Sequence, residues 1–293
     1  MLFSIIVPTF NAENSIRRCL DSILSQSFLD FEIIVINDGS TDNTGKILNE
    51  YANIHSCIKV FNFANSGVGI SRRKGISLAQ GQYLIFVDSD DSINSNLLQE
   101  LYNTIISFGY LPDIFRYQCN IINDNITKDH ERYNFFATDD LLSGMDSLKQ
   151  WSIPSKKYGV YWLFCFKKTV FTQLLFVPDL KCYEDVALIP LLIASSKYVV
   201  TINYVGYNYS YGNCFSLTNL KTKAAERSRA YDFFAAYDFA IHNFIKLDNI
   251  TSSDIAFFIS DYNHRLISKF NSLDKDLQKE LTEMLASRVK SIF

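Results

Sequence analysis

The strongest constraint lies in the first 110 residues, where short, almost wholly apolar runs alternate with segments of helical period. Residues 3–7, 31–36, 58–61 and 83–87 read as buried strands. Between them, residues 14–26 carry Ile16, Cys19, Leu20, Ile23 and Leu24 at helical spacing, and a second helix places Ile47, Leu48 and Tyr51 on one face. Residues 67–79 form a third helix, stopped by Gly81. A fourth buries Leu97, Leu98, Leu101, Ile105 and Phe108. Strands apolar on both faces, each followed by a helix, predict an α/β fold with a mostly parallel sheet covered on both sides.

Such sheets bind ligands beyond the carboxyl ends of their strands. Three polar clusters fall there: Thr9 to Asn11, Asp38 to Ser40, and Asp88 to Asp91. Beyond residue 112 the pattern loosens, with strands expected at 114–117 and 161–166 and a helix near 139–151. The last stretch is helical, with one stripe of Ala230, Phe233, Phe234, Tyr237, Ile241, Phe244 and Ile245 and another of Leu273, Leu277, Leu281 and Leu285. Three regions are expected: 1–111, 112–218 and a helical 219–293.

Composition removes several classes. With 24 Phe and 17 Tyr among 293 residues, the chain carries too much buriable surface for a disordered protein. Lys and Arg total 28 against 31 Asp and Glu, a net charge of −3, which weighs against a protein that grips nucleic acid. No run approaches the roughly 18–20 apolar residues of a membrane span. The six cysteines have no metal-ligand spacing and read as reduced thiols of a cytoplasmic protein.

The chemistry concentrates at the strand ends. Asp88, Asp90 and Asp91 repel one another unless a cation lies between them, and Mg²⁺ or Mn²⁺ commonly sits on one or two carboxylates plus a diphosphate. Asp91 and Ser92 equally suit a helix start. A calcium loop is excluded, since Ile93 and Gln99 stand where Gly and Glu are required. Asp38 faces a base or ribose, or simply closes a turn. Arg72, Arg73 and Lys74 face a diphosphate or solvent, and the nearby glycines fit neither the P-loop nor the dinucleotide fingerprint. Glu184 and Asp185 precede an apolar run, as caps or as a general base. None of the four histidines lies near these clusters.

In order, SIIVPTFNAE (4–13), CLDSILSQSF (19–28), EIIVINDGSTDNT (32–44), NSGVGISRRKGISLAQGQYLIFVDSDD (65–91), YED (183–185) and YNYSYGNCFSLT (207–218) resemble the family-2 glycosyltransferases of bacterial polysaccharide synthesis. The resemblance implies a GT-A fold and an inverting transfer from a UDP-sugar. It places Thr9, Asn11, Glu13 and Asp38 around the uridine, Asp88 at the ribose side and Asp90 on a Mn²⁺ or Mg²⁺ ion. Asp185 matches the base, with Glu184 beside it assisting or contacting the acceptor. Arg72 matches the arginine of the family's Ala-Arg-Asn triplet, while Arg73 stands where Asn is usual.

The implied reaction moves a hexose, glucose or galactose, to an undecaprenyl-diphosphate-linked saccharide in O-antigen or capsule assembly, forming a β-linkage. A nucleotidyltransferase and a non-catalytic sugar-nucleotide-binding module are the alternatives. Trp151, Tyr158, Tyr161 and Trp162 would wall the acceptor site or pack the core. An acceptor of this kind puts the protein at the inner face of the bacterial inner membrane, in peripheral contact. Lys269, Lys275, Lys279, Arg288 and Lys290, or the Phe233 to Ile245 stripe, would make that contact.

Overall fold

The computed structural model describes residues 1–123, 126–129, 133–134, 140–152, 159–172, 180, 182–211 and 222–290. Tyr158, residues 212–218 and the side chains of Leu285, Arg288 and Lys290 lie outside what is described. In chain order the elements of the first half are β1 (Phe3–Thr9), α1 (Ile16–Leu24), β2 (Phe31–Asn37), α2 (Thr44–Ile54), β3 (Ile58–Asn62), α3 (Val68–Leu78), β4 (Tyr83–Phe86), β5 (Ser92–Ile93) and α4 (Leu97–Phe108). They continue with β6 (Ile114–Asn123), β7 (Ile126–Asp129), β8 (Leu141–Leu142), α5 (Gly144–Trp151), β9 (Phe164–Lys167), α6 (Glu184–Ser195), β10 (Val199–Ser210), α7 (Lys223–Phe244), α8 (Ser252–Asn271) and α9 (Lys275–Lys290).

One sheet runs in the order β3-β2-β1-β4-β9-β6-β10-β5, with β7 on β6 and β8 on β10. The first four strands are parallel, as their unbroken apolar runs require, and every residue of β1, β2 and β4 is buried. The second half departs from the parallel expectation. Strand β9 is antiparallel to both β4 and β6, and β10 runs parallel to β6 but antiparallel to β5. Residues 161–166, expected as one strand, split into a tight 3₁₀ turn at Tyr161–Leu163 followed by β9. The sheet continues without a break across residue 111.

Helix α7 packs on α6 and α8, and its aromatic stripe is core. Phe244 stacks on Phe258 at 3.8 Å between ring centroids, Phe258 on Tyr262 at 4.1 Å, and the Tyr262 hydroxyl donates to the Val186 carbonyl of α6. Only Ile245, at the end of the stripe, is exposed. Among the described residues no helix is long and apolar enough to cross a membrane. Trp151, Tyr161 and Trp162 are likewise buried, so the core alternative holds for these three. The bundle of α6, α7 and α8 therefore fixes the start of α6 against the sheet, where two of the expected site residues lie.

Candidate active site

Strand β4 ends at the acidic turn Asp88 to Asp91. Asp91 is no helix cap: α4 starts six residues later, and β5 intervenes. Its carboxylate is buried and accepts from the Tyr207 hydroxyl (2.7 Å) and the Ser210 N–H (2.7 Å), both on β10. Burial, with the charges of Asp90 and Asp88, holds its pKa well above the usual carboxylate range.

Arg72, on α3, is buried beside this turn. Its Nη2 donates to Asp88 Oδ1 at 2.7 Å, its Nη1 donates to Glu184 Oε1, and its guanidinium lies 5.0 Å from the centre of the Tyr161 ring. Its Nε is buried with no hydrogen-bond partner. Burial alone would lower the Arg72 pKa; Asp88, Glu184 and Asp185 outweigh that and hold it above its ordinary value. The arginine thus joins the acidic turn to the first turn of α6.

Glu184 and Asp185 open α6. The residue before them, Tyr183, holds a left-handed φ of 66°, a conformation costing a non-glycine residue roughly 1–2 kcal/mol. Its ring is fixed edge-on against Phe233 of α7, 5.1 Å away. Helix α3 comes close because Gly69 has no side chain: a Cβ there would stand 3.1 Å from Glu184 Cγ. Asp185 is half-buried and accepts from the Val186 N–H at 2.8 Å. Burial and the adjacent Glu184 carboxylate push its pKa up to about 7, against the opposing pull of Arg72. A carboxylate poised near neutrality can take a proton from a hydroxyl at physiological pH.

The loops after β1 and β2 form a second cluster. Asp38 is buried; its Oδ1 accepts from the Ser66 N–H (2.9 Å) and hydroxyl (3.0 Å), and its Oδ2 from the Gly67 N–H (2.8 Å). Gly67 reaches that position at φ 92°, a region open to glycine. Asn11, at φ 47°, accepts from the Thr41 N–H at 2.8 Å, and Glu13 accepts from the N–H and side-chain amide of Asn43. Thr9 is buried and donates to the Val7 carbonyl. Asn11, Glu13 and Asp38 thus fasten the edge loops to one another. Two aromatic residues outside the expected uridine set, Phe10 and Phe63, complete this edge. Phe63, Asp38 and Phe10 follow the adjacent strands β3, β2 and β1, and both rings are exposed.

The carboxylates that could hold a divalent cation are Asp90 and Asp88, whose first oxygen takes Arg72, while β10 occupies both oxygens of Asp91. Among the described residues no group of three or more His, Cys, Asp or Glu could hold a metal unaided. This donor set fits Mg²⁺ or Mn²⁺ arriving with a diphosphate, since such ions keep water and phosphate ligands and need one or two carboxylates.

Comparison with known proteins covers the same segments. The description "Glycosyl transferase family 2" matches residues 4–164. The uncharacterized glycosyltransferase YibD of Escherichia coli is 31% identical over 175 residues, 58% of this chain and 49% of that protein. The cholesterol galactosyltransferase of Borreliella burgdorferi is 43% identical over 100 residues, 34% of this chain and 28% of its own length. The chain spans half or less of these curated relatives. The crystal structure of Staphylococcus aureus TarS 1–349 in complex with UDP-GlcNAc superposes with a TM-score of 0.77 at 20% identity, covering 95% of this chain and 78% of that one, which shows the GT-A type of fold. Since the family match takes in more than half of the chain and all three polar strand ends, the chain belongs to glycosyl transferase family 2.

Proposed function

We propose that the protein is an inverting enzyme that transfers a hexose, glucose or galactose, from a UDP-sugar to a hydroxyl of a lipid-diphosphate-linked saccharide, forming a β-linkage. One observation carries this reading: Arg72 bridges Asp88, at the end of β4, to Glu184, the chain neighbour of Asp185. The proposed ribose-side carboxylate and a carboxylate poised to accept a proton are thereby held in one constellation.

In the proposed reaction Asp185 removes the proton from the acceptor hydroxyl, whose oxygen forms the new bond to the anomeric carbon. The bond from that carbon to the UDP oxygen breaks on the opposite face, which inverts the centre, by the stereochemical logic of inverting glycosidases. A Mn²⁺ or Mg²⁺ ion held by Asp90 with the diphosphate would supply Lewis-acid stabilisation of the charge left on UDP. Phe10 and Phe63 offer aromatic faces to a nucleobase near Asp38, and the fastened loops of Thr9, Asn11 and Glu13 shape that pocket. Residues 1–111 would thus carry the donor and 112–218 the base and acceptor side. The helices of 219–293 would meet an undecaprenyl-borne acceptor peripherally at the inner membrane face, through Lys269, Lys275 and Lys279. O-antigen or capsule assembly is the process such an acceptor implies.

UDP release from a panel of UDP-sugars, with a lipid-diphosphate-linked GlcNAc acceptor, tests the reading. UDP should appear with UDP-glucose or UDP-galactose, stop in EDTA and resume with Mn²⁺ or Mg²⁺. Asp90→Ala should cost about 100-fold or more in kcat with the fold intact. Pyrophosphate in place of UDP would make the protein a nucleotidyltransferase. Nucleotide binding without turnover would make it a binding module.

A further inference from the structure

The acidic turn has three carboxylates, and two are accounted for: Asp88 meets Arg72, and Asp90 is the proposed metal ligand. The third, Asp91, points away from both, into β10. The Tyr207 hydroxyl donates to Asp91 Oδ2 at 2.7 Å and accepts from the Asp88 N–H at 3.1 Å, so one phenol oxygen ties both ends of the turn. The Ser210 N–H fills the other oxygen of Asp91 at 2.7 Å. From the opposite side Arg18 of α1 donates to the Asp90 carbonyl and to Ser210 Oγ. Tyr207 is itself immobilised, buried and stacked on Trp162 at 4.8 Å. The next residues follow suit: Asn94 N–H donates to the Gly206 carbonyl, and the Asn208 amide donates to Asn94 Oδ1 at 2.7 Å.

We propose that Tyr207 and Arg18 are positioning residues that set the backbone of the acidic turn through Asp91 and Asp90, so that Asp88 and Asp90 are presented to a nucleoside diphosphate and its cation. Asp91 is the anchor of the turn and not a ligand. This rests on the reading of the turn as a nucleotide-diphosphate site. The anchor lies on β10, beyond residue 164, outside the segment that defines the family match.

The test is calorimetric titration of the full chain with UDP in the presence of Mn²⁺, alongside kcat and thermal unfolding. Tyr207→Phe removes the bridging oxygen and keeps the ring; it should weaken UDP–Mn²⁺ binding about 10-fold, the scale of one lost hydrogen bond to a charged group. Arg18→Ala, on the surface and so harmless to the core, should weaken it about 3-fold. Tyr209→Phe makes the same chemical change two residues on, at a ring that stacks on Trp162 at 5.2 Å, and should bind as the wild type does. If Tyr207→Phe unfolds, Arg18→Ala still decides the question. Wild-type affinity in both Tyr207→Phe and Arg18→Ala, or an equal loss in Tyr209→Phe, would overturn the positioning role while leaving the nucleotide reading intact. A wild-type protein that binds no UDP with Mn²⁺ would overturn the nucleotide reading and this inference with it.

Discussion

Arg72 and Glu184 stand 112 positions apart in the chain and share a buried ion pair. The pair joins α3, in the segment that follows the loops after β1 and β2, to α6, in the segment that carries the proposed base. Because the same guanidinium also holds Asp88, through its other terminal nitrogen, the two carboxylates share one planar cation.

Removing that cation leaves Glu184 buried and unpaired. Arg72→Ala should therefore lower unfolding stability by about 3 kcal/mol or more, the usual cost of breaking a buried pair by deleting one partner. Arg72→Lys should recover only part, since an ammonium lacks the fork that reaches Asp88 and Glu184 together. Urea unfolding of the three proteins measures this, and a loss under about 1 kcal/mol for the alanine variant would show that the bridge contributes little.

Asp185 sets a pH dependence. With a pKa near 7, it must lose its proton to act, so kcat should rise through neutrality and level off above it. Glu184, Arg72, Asp88 and the Val186 N–H are the groups that set this value. Asp185→Asn should lower kcat about 1,000-fold and flatten the profile, with UDP affinity retained.

The linkage to stability has the opposite sign. A carboxyl whose folded pKa exceeds the unfolded value of about 4 stabilises the native state at low pH and loses that contribution as pH rises toward 7. Asp185→Asn should consequently melt higher than the wild type at pH 8, with the difference shrinking toward pH 5. A melting curve that falls in parallel for both proteins would exclude this strain.

Gly69 tests the spacing of α3 and α6. Gly69→Ala adds a methyl 3.1 Å from Glu184 Cγ, tight enough to move the glutamate by a few tenths of an ångström. Alanine gains about 1 kcal/mol of helix propensity, which offsets the crowding, so the melting temperature should hold. Displacing the Glu184–Arg72 pair should still cost about 10-fold in kcat, because catalytic geometry tolerates little misplacement. An unchanged kcat would show that α6 has slack at this contact.

The parallel half of the fold was legible because buried strands leave unbroken apolar runs, and the helix after each run leaves a 3.6-residue stripe. Strand β10 was not, since its outer half, Tyr204 to Ser210, mixes aromatic and polar residues whose pairing is set by β5 and β6 rather than by alternation. In the acidic turn Asp88 and Asp90 were read as site residues, and Asp91 as part of the acidic cluster or a helix start; its partners Tyr207 and Ser210 lie on distant β10, which nothing local encodes. Glu184 was read as assisting the base, and its partner Arg72 as a donor contact. Their pairing is a long-range fact that spacing along the chain does not encode.

The place of β10 in the sheet also orders events in time. Strands β1 to β4 can assemble as soon as they are made, but Tyr207 and Ser210 are each 119 positions beyond the turn residues they hold. At a synthesis rate of about 5–20 residues per second, the turn waits roughly 6–24 s after its own translation for its anchor to emerge. A growing chain on the ribosome thus has the parallel half of its sheet before it has its acidic turn, and a long-range contact of this kind is among the last and slowest that folding makes.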